Sequence, residues 1–329
     1  MPERIVMGNT VFSGRVAYYD WLKLISAMLV VFYHLAYYNL DYGFVPGQFY
    51  LPNGNRIVMS FAAASVPTFF LVNGALTFRR HRSWKECLGK AVKILVLMVV
   101  WYVAQFPSWF FRTLMILYLM FPVLQWLREH KPKLLCALCC AVFLMPFCYN
   151  LALMCMKGVS LAARIPDLSG GRSVTGCFTM YSILYFCLGP WLDCARPWKL
   201  PVAICCIAAG WCLVLTECVI YTNLNQQVWD GVNVAFPTVG ALLMAVGLFM
   251  AARHMPPSVG RKLLNQCSEA ILAIYVLHMA MIRLLDRLVP LEKLGILSAV
   301  MLTGVVCLLC ILVQKVCKRI PVVNQLFRI

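Results

Sequence analysis

The stretch DWLKLISAMLVVFYHL, which runs from Asp20 to Leu35, decides how this sequence of 329 residues is interpreted. It has the apolar composition of a membrane helix, yet it carries an acid, a base and a histidine. Ionisable side chains are expensive inside a lipid bilayer, so those found there usually face the interior of a helix bundle and have a function. The stretch therefore predicts a membrane protein with a polar interior.

The composition of the whole chain supports a membrane location. Hydrophobic residues make up 62% of the sequence and charged residues only 12%, whereas soluble domains are usually a little under half apolar. A spanning helix needs about 20 largely apolar residues. We expect an all-α polytopic membrane protein with about ten transmembrane helices, near residues 18–38, 57–78, 91–106, 109–127, 134–156, 177–194, 200–222, 234–252, 268–288 and 294–316. No stretch remains for a soluble domain, so residues 1–329 are expected to form a single membrane domain.

The net charge of +17 has a topological explanation. In a soluble protein such an excess would suggest binding to nucleic acid. If the N-terminus is placed in the cytoplasm, however, most of the 29 Lys and Arg residues fall on the cytoplasmic side of the ten predicted spans. This distribution follows the positive-inside rule. Both termini are therefore expected in the cytoplasm, with membrane lipids and not nucleic acid as partners.

The 17 cysteines do not indicate a metal site. Two C-x-x-C spacings occur, Cys136–Cys139 and Cys307–Cys310, but each lies inside an apolar run without a nearby histidine or second pair. Free cysteine behaves as a small hydrophobic residue in such surroundings. We expect these residues to pack within the protein and predict no metal cofactor.

The polar residues of the opening stretch share one face of a helix. Lys23 and His34 are separated by three helical turns plus about 20°, and Asp20 is three positions from Lys23. His34 is expected about 16 Å farther along the axis than Lys23, deep in the membrane. Two interpretations stay open: a histidine packed among helices beside an interfacial Asp20–Lys23 ion pair, or a histidine that acts as a general base.

Four segments resemble the acyltransferase-3 family of membrane acyltransferases. The spacing Lys23-x10-His34 is similar to the family's first helix, with lysine where arginine is commoner. SVPTFFLVNGALTFRRHR resembles the second conserved helix, in which Arg79 and Arg82 match an R-x-x-R motif. SWFFRTLMILYLMFPVL resembles the Trp-Phe-x-Arg segment, with Arg112 as its arginine. Two departures concern local contacts: Asn73 stands where a serine is common, and Thr113 where an acid is common.

The fourth segment, SEAILAIYVLHMA, resembles the family's late Ser…Tyr-x-x-His helix through Ser268, Tyr275 and His278. The resemblance covers residues from about 15 to 288 in the same order. It implies transfer of an acyl group, usually acetyl, from cytoplasmic acyl-CoA to a hydroxyl of a cell-surface or lipid-linked glycan. It also implies the cytoplasmic membrane of a bacterium as the location.

The resemblance gives the singled-out residues expected roles. Arg79, Arg80 and Arg82 would bind the phosphates of the acyl-CoA co-substrate, although plain positive-inside anchoring is the alternative for this run. His34 would be the general base, while Asp20 and Lys23 would pair and shape the donor entrance.

Arg112 would hold the acceptor or stabilise developing negative charge, or else reach the lipid headgroups. Tyr275 and His278 would line the site, or form a buried hydrogen-bonded pair. A loop rich in aromatic residues is expected to form an interfacial belt or to stack on sugars; its rings are Tyr42, Phe44, Phe49 and Tyr50.

A different class of function competes with the enzyme. The membrane half of vancomycin-type serine racemases resembles the same family and is associated with substrate uptake, so a transporter of amino acids or other small molecules is the alternative. Many transporters show inverted repeats with paired broken helices. This sequence shows no convincing repeat, and an R-x-x-R motif beside an intramembrane histidine suits an acyl donor better.

Overall fold

The computed structural model describes residues 16–101, 108–155, 180–226, 228, 238–255, 261–288, 291 and 295–319. Within these ranges every regular element is a helix. The α-helices are α1 (Ala17–Asn39), α2 (Gly54–Met59), α3 (Ser65–Thr77), α4 (Trp84–Trp101), α5 (Trp109–His130), α6 (Pro132–Cys155), α7 (Ser182–Cys194), α8 (Leu200–Asn225), α9 (Val239–Ala252), α10 (Arg261–Leu288) and α11 (Ile296–Cys317). A 3-10 helix, Ser60–Ala64, joins α2 to α3. The all-α class is confirmed.

The helices overlap the predicted segments, although α4 begins at Trp84 and not at 91, α10 begins at Arg261 and not at 268, and the second segment is divided. It consists of α2, the 3-10 helix and α3, with Pro67 in the first turn of α3. Proline lacks the backbone N–H that an α-helix needs, and the start of a helix is the place that tolerates it. The break in this span therefore has a cause visible in the sequence.

Four helical stretches are long and apolar enough to cross a membrane within the described residues: Gly54–Thr77, Trp109–His130, Leu200–Leu224 and Ile296–Cys317. Pro132–Met145 and Val239–Ala252 are shorter apolar helices. The total of about ten spans, and the placement of both termini in the cytoplasm, stay predictions from the sequence.

Apolar side chains cover much of the outer surface of the bundle. Val99 of α4, Ile204 of α8 and Leu308 of α11 are each more than half exposed. Soluble proteins rarely expose contiguous apolar surface on this scale, whereas a bilayer is the environment that such a surface fits. The fold is therefore that of an integral membrane protein.

Helix α1 lies in the centre of the bundle. It packs against α3, α9, α10 and α11. Leu22, Val31, Leu35 and Ala36 are completely buried, and all four belong to the main core. The helix that carries the predicted catalytic residues is thereby surrounded by other helices.

Glycines allow two pairs of helices to approach closely. A Cβ atom at Gly74 of α3 would lie 1.8 Å from the carbonyl oxygen of Phe186 in α7, and one at Gly189 of α7 would lie 2.0 Å from the carbonyl oxygen of Leu71. Gly210 and Gly240 bring α8 and α9 together in the same way. Small residues are the usual means of close helix packing in membranes, where lipid removes the hydrophobic driving force.

Replacing Gly74 by alanine is expected to destabilise the bundle by about 3 kcal/mol or more, because α3 and α7 must separate to admit a methyl group. Gly304→Ala in α11 is the matched control, since a Cβ atom there meets no atom within 4 Å. Thermal unfolding of the purified protein in detergent measures both. Equal melting temperatures for the two variants would contradict the close α3–α7 contact.

Candidate active site

Two histidines meet inside the bundle. The ring centroids of His34 in α1 and His278 in α10 are 5.1 Å apart, with an angle of 38° between the ring planes. His278 is completely buried, and His34 is half-buried. The sequence singled out both residues but did not predict that they would be neighbours.

The hydrogen bonds of His278 fix its protonation. Its Nδ1 atom lies 2.7 Å from the carbonyl oxygen of Tyr275 and 3.1 Å from that of Ile274. Carbonyl oxygens only accept hydrogen bonds, so Nδ1 must carry the proton. In the neutral ring Nε2 is then an acceptor, and it is buried without a hydrogen-bond partner in the described part of the chain.

An aromatic wall lies beside His278. The ring of Tyr275 is 5.9 Å from that of His278, 4.9 Å from that of Phe110 and 5.2 Å from that of Phe111. Tyr275 is buried, a position that both of its predicted roles allow. Tyr275 is the member of this wall that contacts His278, while the ring of Tyr33 lies 5.1 Å from that of His34.

Arg112 follows this wall directly in the sequence. It lies in the first turn of α5, next to Phe111. The residue is half-buried, and its Nε atom is buried without a hydrogen-bond partner among the described residues. The helical turn that carries Arg112 therefore packs against Tyr275, which lies three positions before His278 on α10.

Arg79 forms an ion pair at the end of the bundle where α1 begins, which we call the basic end. The Nη2 atom of Arg79 lies 3.2 Å from Oδ2 of Asp193 in α7, and Nε lies 3.3 Å from the same oxygen. The guanidinium also lies 4.8 Å from the ring centre of Tyr19. The hydroxyl of Tyr18 donates to Asp193, so α1, α7 and the segment after α3 are joined at one place.

Asp193 was missed by the sequence analysis. Its only signal was an acid near the end of an otherwise apolar segment, SILYFCLGPWLDC. Its partner lies 114 positions away in the chain, and no local pattern reveals such a pairing. Because Asp193 balances its charge, Arg79 is a weaker candidate for anion binding than the motif alone suggested.

The other basic residues lack a partner of this kind in the described part of the chain. Arg80 is exposed, and Arg82 is half-buried with an Nε atom that is buried and has no hydrogen-bond partner there. The ammonium of Lys90 lies 4.8 Å from the ring centre of Tyr118, and the guanidinium of Arg128 lies 5.1 Å from that of Phe78. Arg82 also interacts electrostatically with the exposed Glu86, so the positive charge of these four cations is only partly balanced at the basic end.

Gln125 holds the R-x-x-R segment against α5. Its Oε1 atom accepts a hydrogen bond from the backbone N–H of Arg82 at 3.3 Å, and its Nε2 atom donates to Glu129 at 3.3 Å. Gln125 is itself buried. The position of Arg82 is therefore set through its backbone, which leaves its side chain available.

Asp20 and Lys23 lie near the same end as Arg79. Asp20 is in the first turn of α1 and is buried, while Lys23 is half-buried one turn later. The rise of a helix puts His34 about 16 Å farther along the axis. Neither residue is thus placed to act directly on His34, and their predicted ion pair stays a prediction.

The predicted aromatic loop is partly built into the core. Tyr42 and Tyr50 are buried, and the hydroxyl of Tyr42 donates to the carbonyl oxygen of Ala36 at 2.7 Å. The guanidinium of the fully buried Arg56 lies 5.3 Å from the Tyr42 ring centre. Phe49, by contrast, is 75% exposed. The side chain of Ser268 lies outside the described residues.

Comparison with known proteins identifies the family of the chain. The model of a family described as an acyltransferase domain matches residues 16–108 and 104–315. No curated protein and no solved structure matches the chain significantly. The matched residues include both histidines and the arginines of the basic end, and they cover nearly the whole sequence. The chain belongs to the acyltransferase-3 family of membrane acyltransferases.

Proposed function

We propose that the protein is an O-acyltransferase that moves an acyl group, acetyl by expectation, from cytoplasmic acyl-CoA to a hydroxyl of a cell-surface or lipid-linked glycan. The observation that carries the proposal is the position of His34: an imidazole in the centre of a membrane bundle, 5.1 Å from a second buried imidazole. In an acyltransferase such a group is suited to take the proton of the attacking hydroxyl.

The basic end is the proposed entrance for the donor. Acyl-CoA carries several phosphate charges on one end and its thioester at the end of a long thin arm. Arg80 and Arg82 offer guanidinium groups that match phosphate oxygens, with Lys90 as an added point charge. Lys90 lies close enough to Arg82 for their charges to repel each other. A bound polyanion would relieve that repulsion, which favours donor binding at this end.

Arg79, Asp20 and Lys23 have a supporting role in this proposal. The Arg79–Asp193 ion pair and the Tyr18 hydrogen bond hold the start of α1 against α7. Asp20 and Lys23 follow on the next turns of α1. Together they would shape the passage through which the acyl arm reaches His34.

The chemical step uses His34 as general base. The hydroxyl oxygen of the acceptor attacks the thioester carbonyl carbon while His34 takes the hydroxyl proton. The new ester forms, the carbon–sulfur bond breaks, and the proton passes from His34 to the thiolate sulfur, which leaves as CoA. Arg112 is the candidate for stabilising the negative charge on the carbonyl oxygen, and Tyr275 lines the site.

The acceptor would approach from the opposite end of the bundle. Arg112 lies at the start of α5, whereas Arg128 near the end of α5 belongs to the basic end. The aromatic loop that follows α1 lies beyond His34 in the same direction. A glycan entering there would meet the acyl group at the histidine pair, so donor and acceptor need not share one entrance.

Arg82→Gln is expected to weaken binding of radiolabelled acetyl-CoA to the purified protein by about 10- to 100-fold, since a hydrogen bond to a charged group contributes about 1.5–3 kcal/mol. Arg79→Gln is expected to have a smaller effect, because Asp193 already balances that charge. Arg287→Gln, an exposed arginine in the last turn of α10, is the control and should bind like wild type. Folded wild type that binds no acetyl-CoA would overturn the donor assignment and favour the transporter.

His34→Ala is expected to bind acetyl-CoA like wild type but to transfer its acetyl group 10²- to 10⁴-fold more slowly, because the general base is lost. Transfer is measured as radiolabel moved from acetyl-CoA into membranes of the expressing cells. His130→Ala is the matched control, since this exposed histidine stacks on Trp126 in the basic end of α5. Wild-type transfer by His34→Ala would show that another group removes the proton.

A further inference from the structure

We propose that His278 is the positioning residue for His34: its Nε2 atom accepts a hydrogen bond from the N–H group of His34 as that ring becomes protonated. The proposal rests on the assignment of His34 as the general base. A general base is commonly oriented by a third group that accepts its second N–H. Asp20, the acid on the same helix, is too far along α1 to do this.

Two backbone carbonyl groups fix the orientation of the His278 ring. Nδ1 is held by the carbonyl oxygens of Tyr275 and Ile274, which belong to the preceding turn of α10. Neither carbonyl can donate a hydrogen bond, so Nδ1 must be the donor and must keep its proton. The ring therefore presents a lone pair at Nε2 from a fixed position.

The lone pair on Nε2 of His278 has no partner among the described residues. Nε2 of His278 is buried and has no hydrogen-bond partner in the described part of the chain. Leaving a buried acceptor unsatisfied costs about 1–3 kcal/mol. Native proteins keep few such groups, and each requires a reason such as a catalytic role. The lone pair of Nε2 has a function if it accepts a hydrogen bond from His34 only during the reaction.

The rings of His34 and His278 lie close together. With centroids 5.1 Å apart, the two imidazoles are in contact although no hydrogen bond joins them. We infer that rotation of the His34 ring about its side-chain torsions brings an N–H to face Nε2 of His278 during the reaction. Hydrogen bonds at catalytic sites are often long or poorly aligned in the free protein and tighten when substrate binds.

A neutral histidine suits this place better than a carboxylate. The ring of Tyr275 packs against His278 and that of Tyr33 against His34, and His278 is completely buried. A permanently charged carboxylate would be costly there in the resting protein. His278 stays uncharged and offers only its lone pair, so the site carries a charge only while His34 holds the proton on its way to the thiolate sulfur.

The kinetic test compares His278→Leu with His278→Gln. Leucine fills the space without an acceptor, whereas the glutamine carboxamide can still accept a hydrogen bond from His34. The acetyl donor is radiolabelled acetyl-CoA, and the acceptor source is membranes of the expressing cells. We expect kcat to fall 10- to 100-fold in His278→Leu with an unchanged KM for acetyl-CoA, and His278→Gln to recover much of the loss.

Three results would overturn the role of His278. They are wild-type kcat in His278→Leu, no recovery in His278→Gln, and a loss of acetyl-CoA binding and thermal stability that accounts for the lost activity. Failure of the proposed function is distinct, because then wild type itself transfers no acetyl group. Active wild type with inactive His34→Ala and fully active His278→Leu would leave the general base in place and remove only its positioning residue.

A spectroscopic measurement tests the same proposal without turnover. Nitrogen-15 NMR of the histidine-labelled protein distinguishes a protonated from an unprotonated ring nitrogen, and loss of a signal in His278→Gln assigns it. We expect His278 to carry its proton on Nδ1 and a lone pair on Nε2. A proton found on Nε2 in the wild-type protein would overturn the proposal outright, since that atom could then accept no hydrogen bond.

Discussion

The cost of placing polar groups in a bilayer is the constraint on which this structure depends. Asp20, Lys23 and His34 occupy one helix, and lipid cannot satisfy them. In the fold, α1 lies in the centre of the bundle and packs against α3, α9, α10 and α11. A histidine that would be unfavourable on a lipid-facing surface is thereby held deep inside the protein, next to a second histidine.

Close helix packing fixes the relative positions of α3 and α7. Gly74 and Gly189 bring the backbones of α3 and α7 into contact, and Asp193 in the last turn of α7 binds Arg79, two residues after the end of α3. Packing in the middle of the bundle and charge pairing at its end thus fix the same two helices. The remaining cations give that end a positive charge. The bundle therefore has a charged end and an interior in which the two histidines lie close together.

Part of this arrangement could be predicted from the sequence, because it depends on local spacing. The helical period puts Lys23 and His34 on one face, and apolar segments give the positions of the helices. The division of the second segment at Pro67 could also have been expected. The neighbours of each side chain could not, since contacts between distant segments depend on how the helices pack. His278 beside His34 and Asp193 beside Arg79 are both of this kind.

Local sequence pattern likewise could not predict which side chains of the aromatic loop are buried. Tyr42, Tyr50 and Phe49 look alike in sequence, yet two of them are buried and the third is 75% exposed. The family assignment rested on motifs whose order matched, and the family model confirms it over residues 16–108 and 104–315. The roles of single residues within the family site remain proposals that depend on the geometry of this chain.

The central claim is that an acyl group enters at the basic end and reaches an acceptor from the other side of the membrane. Sealed vesicles of known orientation test this most directly, with radiolabelled acetyl-CoA supplied on one side only. The account predicts that label reaches the membrane glycans only when acetyl-CoA faces the basic end, the proposed cytoplasmic side, and that CoA is released on that same side. Equal labelling from either side, or labelling only from the opposite side, would contradict it.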